Sequence, residues 1–118
     1  MAKKRVAAVF AELNAAGFVA LASTGTTQSD GFSDCRDDFH SRGGDLDALV
    51  GFCFTTRKDT RRARASGQLH LAFWGAPEGS APQMERAGAQ VVAAFRRAGF
   101  TVVWDGTGDS RPCVDLTR

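Results

Sequence analysis

The chain has 118 residues, of which 43% are hydrophobic, and a formal net charge of +2. A chain of this length buries about two-thirds of the surface that its unfolded form exposes, so we expect a single domain over residues 1–118. No run of about 18 apolar residues occurs, which excludes a membrane-spanning helix. The three cysteines are odd in number and irregularly spaced, and no apolar signal segment follows Met1, so we expect a reduced, cytoplasmic protein.

The first predicted element is an amphipathic helix over Lys4 to Ala16, followed by Gly17 and a strand over Phe18 to Ser23. The same pattern returns near the end, where Gly99 separates a helix from a strand at residues 101–105. We expect both glycines to adopt the left-handed backbone that often ends a helix. Residues 24–31 have the composition of a loop. Residues 32–49 are predicted to form an irregular lobe, in which Asp34 to His40 and Asp45 to Val50 could each hold a helical turn.

The middle of the chain alternates in the manner of strands over Val50 to Thr55 and over Gln68 to Trp74. Between them, Thr56 and Asp59 form a capping-box pattern that predicts a helix start. A long helix from Ser80 to Ala98, the strand at 101–105 and an edge strand at 112–116 complete the order α-β-β-α-β-α-β-β. This order predicts an α+β fold, a two-layer sandwich in which about three helices cover a mixed sheet of four or five strands.

Six aspartates and no glutamate lie in the predicted irregular lobe and the turn before it. Such a segment is most often a solvated loop with no binding role. A calcium loop needs a closing glutamate, so among binding roles the pattern favours a protein-binding surface over a metal site. We expect no metal and no cofactor. The residues predicted to contact the partner are five of the carboxylates and two aromatic anchors: Asp34, Asp37, Asp38, Asp45, Asp47, Phe32 and Phe39.

A catalytic alternative would use His70 as a base, oriented by Asp105 or Asp59, in a hydrolase or transferase. The sequence has no nucleophile elbow, phosphate loop or zinc signature, so it favours a non-catalytic role.

A second alternative is nucleic-acid binding through the basic helix at residues 57–64, helped by Lys3, Lys4 and Arg5. The sequence pI of about 8.6 is below the strongly basic values typical of such domains, which argues against it.

Three segments carry a resemblance to a bacterial family of unknown function. They are an aromatic strand leading into a helix with an aspartate in its first turn (residues 52–60), a leucine and aromatic strand ending in glycine (69–75), and a Trp-Asp-Gly turn (102–106). The chain departs from the family pattern at Thr55, where a histidine is expected, and by retaining only Cys35 of a cysteine cluster. The resemblance implies structural roles for Asp59 and for the turn at Trp104.

These observations favour a small, non-catalytic protein-binding module, of the type of a bacterial immunity protein or antitoxin. Its acidic loop would occupy the cationic cleft of a toxin, and opposite charges would speed the encounter. The sequence makes no prediction of the oligomeric state.

Overall fold

The computed structural model of the chain describes residues 2–117, which form four helices and two three-stranded sheets. The helices are α1 (Ala2–Ala15), α2 (Gln28–Ser41), α3 (Arg57–Ser66) and α4 (Ala81–Arg97). The strands are β1 (Phe18–Leu21), β2 (Gly51–Phe54), β3 (Gln68–His70), β4 (Ala72–Gly75), β5 (Thr101–Val103) and β6 (Cys113–Asp115). The predicted α+β class is confirmed. None of these helices combines the length and apolar content that crossing a membrane requires.

The strands pair in two sheets that share one continuous segment of chain. The first sheet has the order β1-β2-β4, with β1 and β2 parallel and β4 antiparallel to β2. The second is antiparallel, in the order β3-β6-β5. Leu71 alone separates β3 from β4, and its N–H donates to the Pro112 carbonyl at 2.9 Å. The predicted third strand, 68–74, therefore passes from one sheet to the other, where the sequence predicted a single mixed sheet.

The first sheet is covered by helices on both faces. On one face, α1 and α4 bury an apolar cluster that includes Phe10, Leu13 and Phe95. On the other face, α2 lies over a smaller cluster that contains Phe52 and Phe54. The alternation predicted for β2 is confirmed, but α2 adds a helical layer that the predicted two-layer sandwich lacks.

Helix α2 occupies part of the chain predicted to be loop and irregular lobe. It begins at a capping box, in which the Thr27 side chain accepts from the Asp30 N–H and the Asp30 carboxylate accepts from the Thr27 N–H. Such a cap stabilises a helix by about 1 kcal/mol. Its apolar residues, Phe32, Cys35 and Phe39, have the helical spacing i, i+3, i+7, and their packing on β2 provides further stabilisation.

Helix ends elsewhere follow the sequence closely. Thr56 and Ser80 both form capping boxes, at the starts of α3 and α4. Gly17 and Gly99 have φ angles of 98° and 94°, which confirms the left-handed backbone predicted for both.

Two sheet edges, at β1 and β5, are covered by polar side chains of the same molecule. The Asn14 amide group donates to the carbonyl of Ala20 at 3.0 Å and accepts from its N–H at 2.9 Å, so that it substitutes for a neighbouring strand along β1. The Arg96 guanidinium donates to the Val102 carbonyl of β5 at 2.9 Å. Uncovered edges pair readily with other chains, and these contacts oppose such pairing.

Replacing Asn14 with alanine should lower the free energy of unfolding by about 1–3 kcal/mol, because the part-buried N–H and C=O of Ala20 lose their partners. Urea denaturation followed by circular dichroism measures the effect. The matched control is Gln90→Ala on the exposed side of α4, expected to change stability by less than about 0.5 kcal/mol. Equal effects of the two substitutions would contradict the edge-covering role of Asn14.

Candidate functional site

The carboxyl ends of the parallel strands β1 and β2 place the starts of α2 and α3 side by side. The Thr24 N–H donates to the Thr55 carbonyl at 2.8 Å, and the Arg57 N–H donates to the Gly25 carbonyl at 3.1 Å. The loop after β1 is thereby fastened to the loop after β2. The crevice outside the carboxyl ends of strands is the usual position for binding sites in open α/β sheets, so we describe the charged groups around it.

A buried ion pair fixes the start of α3. Asp59, at the third position of the helix, has a side chain only 6% exposed. Its two carboxylate oxygens accept from the Arg111 guanidinium at 2.7 and 3.2 Å, and one of them also accepts from the Thr56 N–H at 2.9 Å. The pair is therefore bidentate and also forms part of the helix cap.

Arg111 also contacts the junction between the two sheets. Its guanidinium donates to the carbonyls of Leu71 at 3.1 Å and His70 at 3.2 Å. One side chain thus joins the start of α3, the point where β3 becomes β4, and the loop before β6. Sequence reasoning did not identify Arg111, because it is an isolated arginine in a polar turn.

The pKa of Asp59 is set by opposing effects. Burial would raise it, but the hydrogen bonds from Arg111 and Thr56 and the positive charge of Arg111 together lower it below its ordinary value. The carboxylate is therefore charged in the folded protein at neutral pH.

The Trp-Asp-Gly turn at residues 104–106 positions the loop that contains Arg111. The Trp104 indole N–H points to the carbonyls of Thr107 and Ser110 at 3.1 and 3.2 Å. The Asp105 carboxylate accepts from both the N–H and the hydroxyl of Thr107, and these bonds lower the pKa of Asp105. A structural role for this turn agrees with the sequence interpretation.

The side chains of the catalytic alternative form no hydrogen bonds with one another in the described part of the chain, although Arg111 contacts both Asp59 and the His70 carbonyl. Asp59 bonds to Arg111 and Asp105 bonds to Thr107, and neither carboxylate hydrogen-bonds to His70, whose side chain is exposed.

Two thiols lie in the core. Cys35 and Cys53 are fully buried, and burial raises the pKa of the Cys35 thiol to about 12 and raises that of Cys53 as well. Both are therefore uncharged, poor nucleophiles at neutral pH. Within residues 2–117, no group of three or more His, Cys, Asp or Glu side chains has an arrangement that could hold a metal ion.

The two phenylalanines predicted as partner anchors lie against the sheet. Phe32 meets Phe52 and Trp74 at centroid distances of 5.3 and 5.6 Å, and Phe39 lies 6.3 Å from Phe52. Both rings are part of the smaller apolar cluster, and they attach α2 to β2 and β4.

The five predicted carboxylates divide into two groups. Asp34 accepts from the Thr24 hydroxyl at 2.6 Å, and Asp38 pairs with Arg42 at 2.6 Å. Asp37, Asp45 and Asp47 are exposed and form no ion pair within the described part of the chain. The carboxylates available to a partner are therefore one on α2 and two on the loop that follows it.

Leu46 lies between Asp45 and Asp47 and is 48% exposed. The Asp45 carboxylate accepts from the Asp47 N–H at 3.1 Å, which closes a local turn around Leu46. Among residues 2–117 it is one of two exposed large hydrophobic side chains, the other being Val103. We use the name acidic surface for the exposed, non-ion-paired carboxylates of α2 and of the loop after it, together with the leucine between two of them: Asp37, Asp45, Leu46 and Asp47. Sequence reasoning missed Leu46, because a single leucine in a loop has no periodicity, although its position between two aspartates after Gly43 and Gly44 was a usable signal.

Helix α3 presents the opposite charge. Its five basic residues are all exposed, and none forms an ion pair within residues 2–117: Arg57, Lys58, Arg61, Arg62 and Arg64. Residues 28–48 contain two basic and six acidic side chains, a net charge of −4, whereas residues 57–66 contain five basic and one acidic, a net charge of +4. The overall charge of +2 conceals this separation.

Comparison with known proteins assigns the chain to a family. The sequence profile described as Domain of unknown function (DUF6891) matches residues 2–117, and the chain belongs to that family. No curated protein and no solved structure matches the chain.

Replacing Asp59 with asparagine should lower the free energy of unfolding at pH 7 by about 3–5 kcal/mol, because Arg111 is left without its counter-charge. The pKa of Asp59 is lower in the folded than in the unfolded chain, where it is about 3.9. Its stabilisation is therefore present above about pH 4 and is lost as the pH falls through the folded value. Urea denaturation of both proteins across the acid range should show a shallower loss for the variant.

The matched control is Glu12→Gln, which removes the exposed ion pair between Glu12 and Arg97. We expect it to cost about 0–1 kcal/mol, since solvent screens exposed pairs. If Asp59→Asn cost no more than this control, or if its stability fell with pH in parallel to the wild type, the buried pair would not have the role described.

Proposed function

We propose that this protein is a non-catalytic binding module that acts in the bacterial cytoplasm and captures a cationic protein partner, in the manner of an immunity protein or antitoxin. The acidic surface makes the contact. A toxin whose cationic cleft normally holds a phosphate-bearing substrate is a partner of suitable chemistry, because carboxylates can replace the phosphates.

The observation that carries this proposal is the exposure of Leu46 between Asp45 and Asp47. Protein interfaces are commonly built from an apolar anchor that fills a pocket, surrounded by polar groups that exclude water. A leucine with an unpaired carboxylate on each side has this arrangement. It replaces Phe32 and Phe39 as the apolar anchor, since those rings attach α2 to the sheet.

The attachment of α2 favours binding in a second way. Phe32, Cys35 and Phe39 hold the helix on β2, and the Asp38–Arg42 pair spans its last turn and C-cap. The carboxylate of Asp37 is therefore displayed from an ordered helix, and little conformational entropy has to be lost when a partner binds. Three unpaired carboxylates also speed the approach of a cationic partner, in a manner that salt suppresses.

The proposal predicts that one stoichiometric protein is captured from a lysate of the native cell by the tagged wild type and not by Leu46→Ser. The matched control is Val103→Ser, which removes the other exposed large hydrophobic side chain and should capture the same protein as the wild type. Affinity purification followed by mass spectrometry makes the comparison. Capture that is lost equally in both variants, or retained in both, would contradict an interface at Leu46.

The charge contribution is tested with Asp37→Asn, Asp45→Asn and Asp47→Asn combined. This variant should bind the captured protein with an association rate at least about tenfold lower at low salt, with a smaller difference at high salt. Stopped-flow fluorescence or surface plasmon resonance measures the rate. An association rate equal to that of the wild type at low salt would remove the steering role of the carboxylates.

A further inference from the structure

The basic face of α3 is a second charged surface, separate from the acidic surface. The term basic face of α3 refers to the five exposed cations of this helix, Arg57, Lys58, Arg61, Arg62 and Arg64. The one acidic residue of the helix, Asp59, is buried and engaged by Arg111, so it does not neutralise the surface. The five cations lie within eight consecutive residues, and none forms an ion pair within residues 2–117, so they form a concentrated cationic site.

The cations lie on one side of the helix. At about 100° per residue they cover an arc of about 160°, from Arg64 to Arg62, and the middle of that arc lies about 180° from Ala63. Ala63 is buried on the core side, so the arc points directly away from the protein. Along the axis the arc extends about 10 Å, since each residue rises about 1.5 Å.

A helix that presents four guanidinium groups and one ammonium group on its outward face can contact several closely spaced phosphates. Duplex DNA carries one negative charge per about 1.7 Å of its axis, and arginine binds phosphate oxygens in a bidentate manner. Binding of single strands usually relies on aromatic side chains for base stacking, and α3 contains none. The surface therefore fits the backbone of a duplex better than a single strand.

We propose that the basic face of α3 binds the phosphate backbone of double-stranded DNA without base specificity. The buried Asp59–Arg111 pair fixes the helix that carries the cations, and the acidic residues that would repel DNA lie on α2 and the loop after it. The proposal is independent of the protein partner of the acidic surface. The sequence pI averages over the whole chain, in which acidic residues elsewhere offset the local positive charge of α3.

Fluorescence anisotropy of a labelled, mixed-sequence DNA duplex of about 20 base pairs, titrated with the full chain at several salt concentrations, tests the proposal. If all five cations contact phosphates, log Kobs should fall with log salt with a slope of about −4.5. The variant Arg61→Gln with Arg64→Gln should reduce that slope to about −2.7 and weaken binding at least about tenfold at about 20 mM salt. Both positions are exposed, and glutamine has a helix propensity close to that of arginine, so the fold should be retained.

The matched control is Arg36→Gln with Arg86→Gln, which lowers the net charge equally at exposed positions on α2 and α4. It should bind with nearly the wild-type slope. Equal losses in the two variants, no binding at about 20 mM salt, or tighter binding to the single strand than to the duplex would each overturn the proposal. So would a homodimer, detected by sedimentation, that the α3 variant abolishes, because the acidic surface of a second copy would then be the occupant.

Discussion

The bidentate pair between Asp59 and Arg111 is the contact on which the arrangement of this molecule most depends. It joins the start of α3 to the loop before β6, and through the carbonyls of His70 and Leu71 it also reaches the point where the chain passes from one sheet to the other. Breaking a buried pair leaves an uncompensated charge, which costs far more than the pair contributes over an apolar substitute. The position of Asp59 in a helix cap adds local geometry to this long-range constraint.

The acidic charge of α2 and the basic charge of α3 are carried by neighbouring helices of this fold. The loops after β1 and β2 are fastened together, so α2 and α3 start from the same edge of the sheet, and the two helical segments carry opposite net charges. Each helix contributes few apolar residues, and its stability comes from its cap and from packing on a strand. The outward faces are thereby free to carry charge. A small fold can in this way present an acidic and a basic surface without either neutralising the other.

Much of the fold was predictable, because local rules determine it. The caps at Thr56 and Ser80, the glycine stops at Gly17 and Gly99 and the alternation of β2 all appear as the sequence indicates. Helix α2 was predicted only as a helical turn within residues 34–40, because its few apolar side chains lie among aspartates that are typical of a loop. The site was less predictable, since the anchoring role of Leu46 and the placement of Arg111 depend on tertiary packing, which has no sequence period.

The most direct test of the central constraint is a double-mutant cycle with Asp59→Asn, Arg111→Gln and the two combined, each measured as a free energy of unfolding at pH 7. We expect a coupling energy of at least about 2 kcal/mol, because both single variants leave a buried polar partner unsatisfied and the double variant removes the mismatch. Single effects that add to within about 0.5 kcal/mol would contradict the account, since the two residues would then stabilise the fold independently.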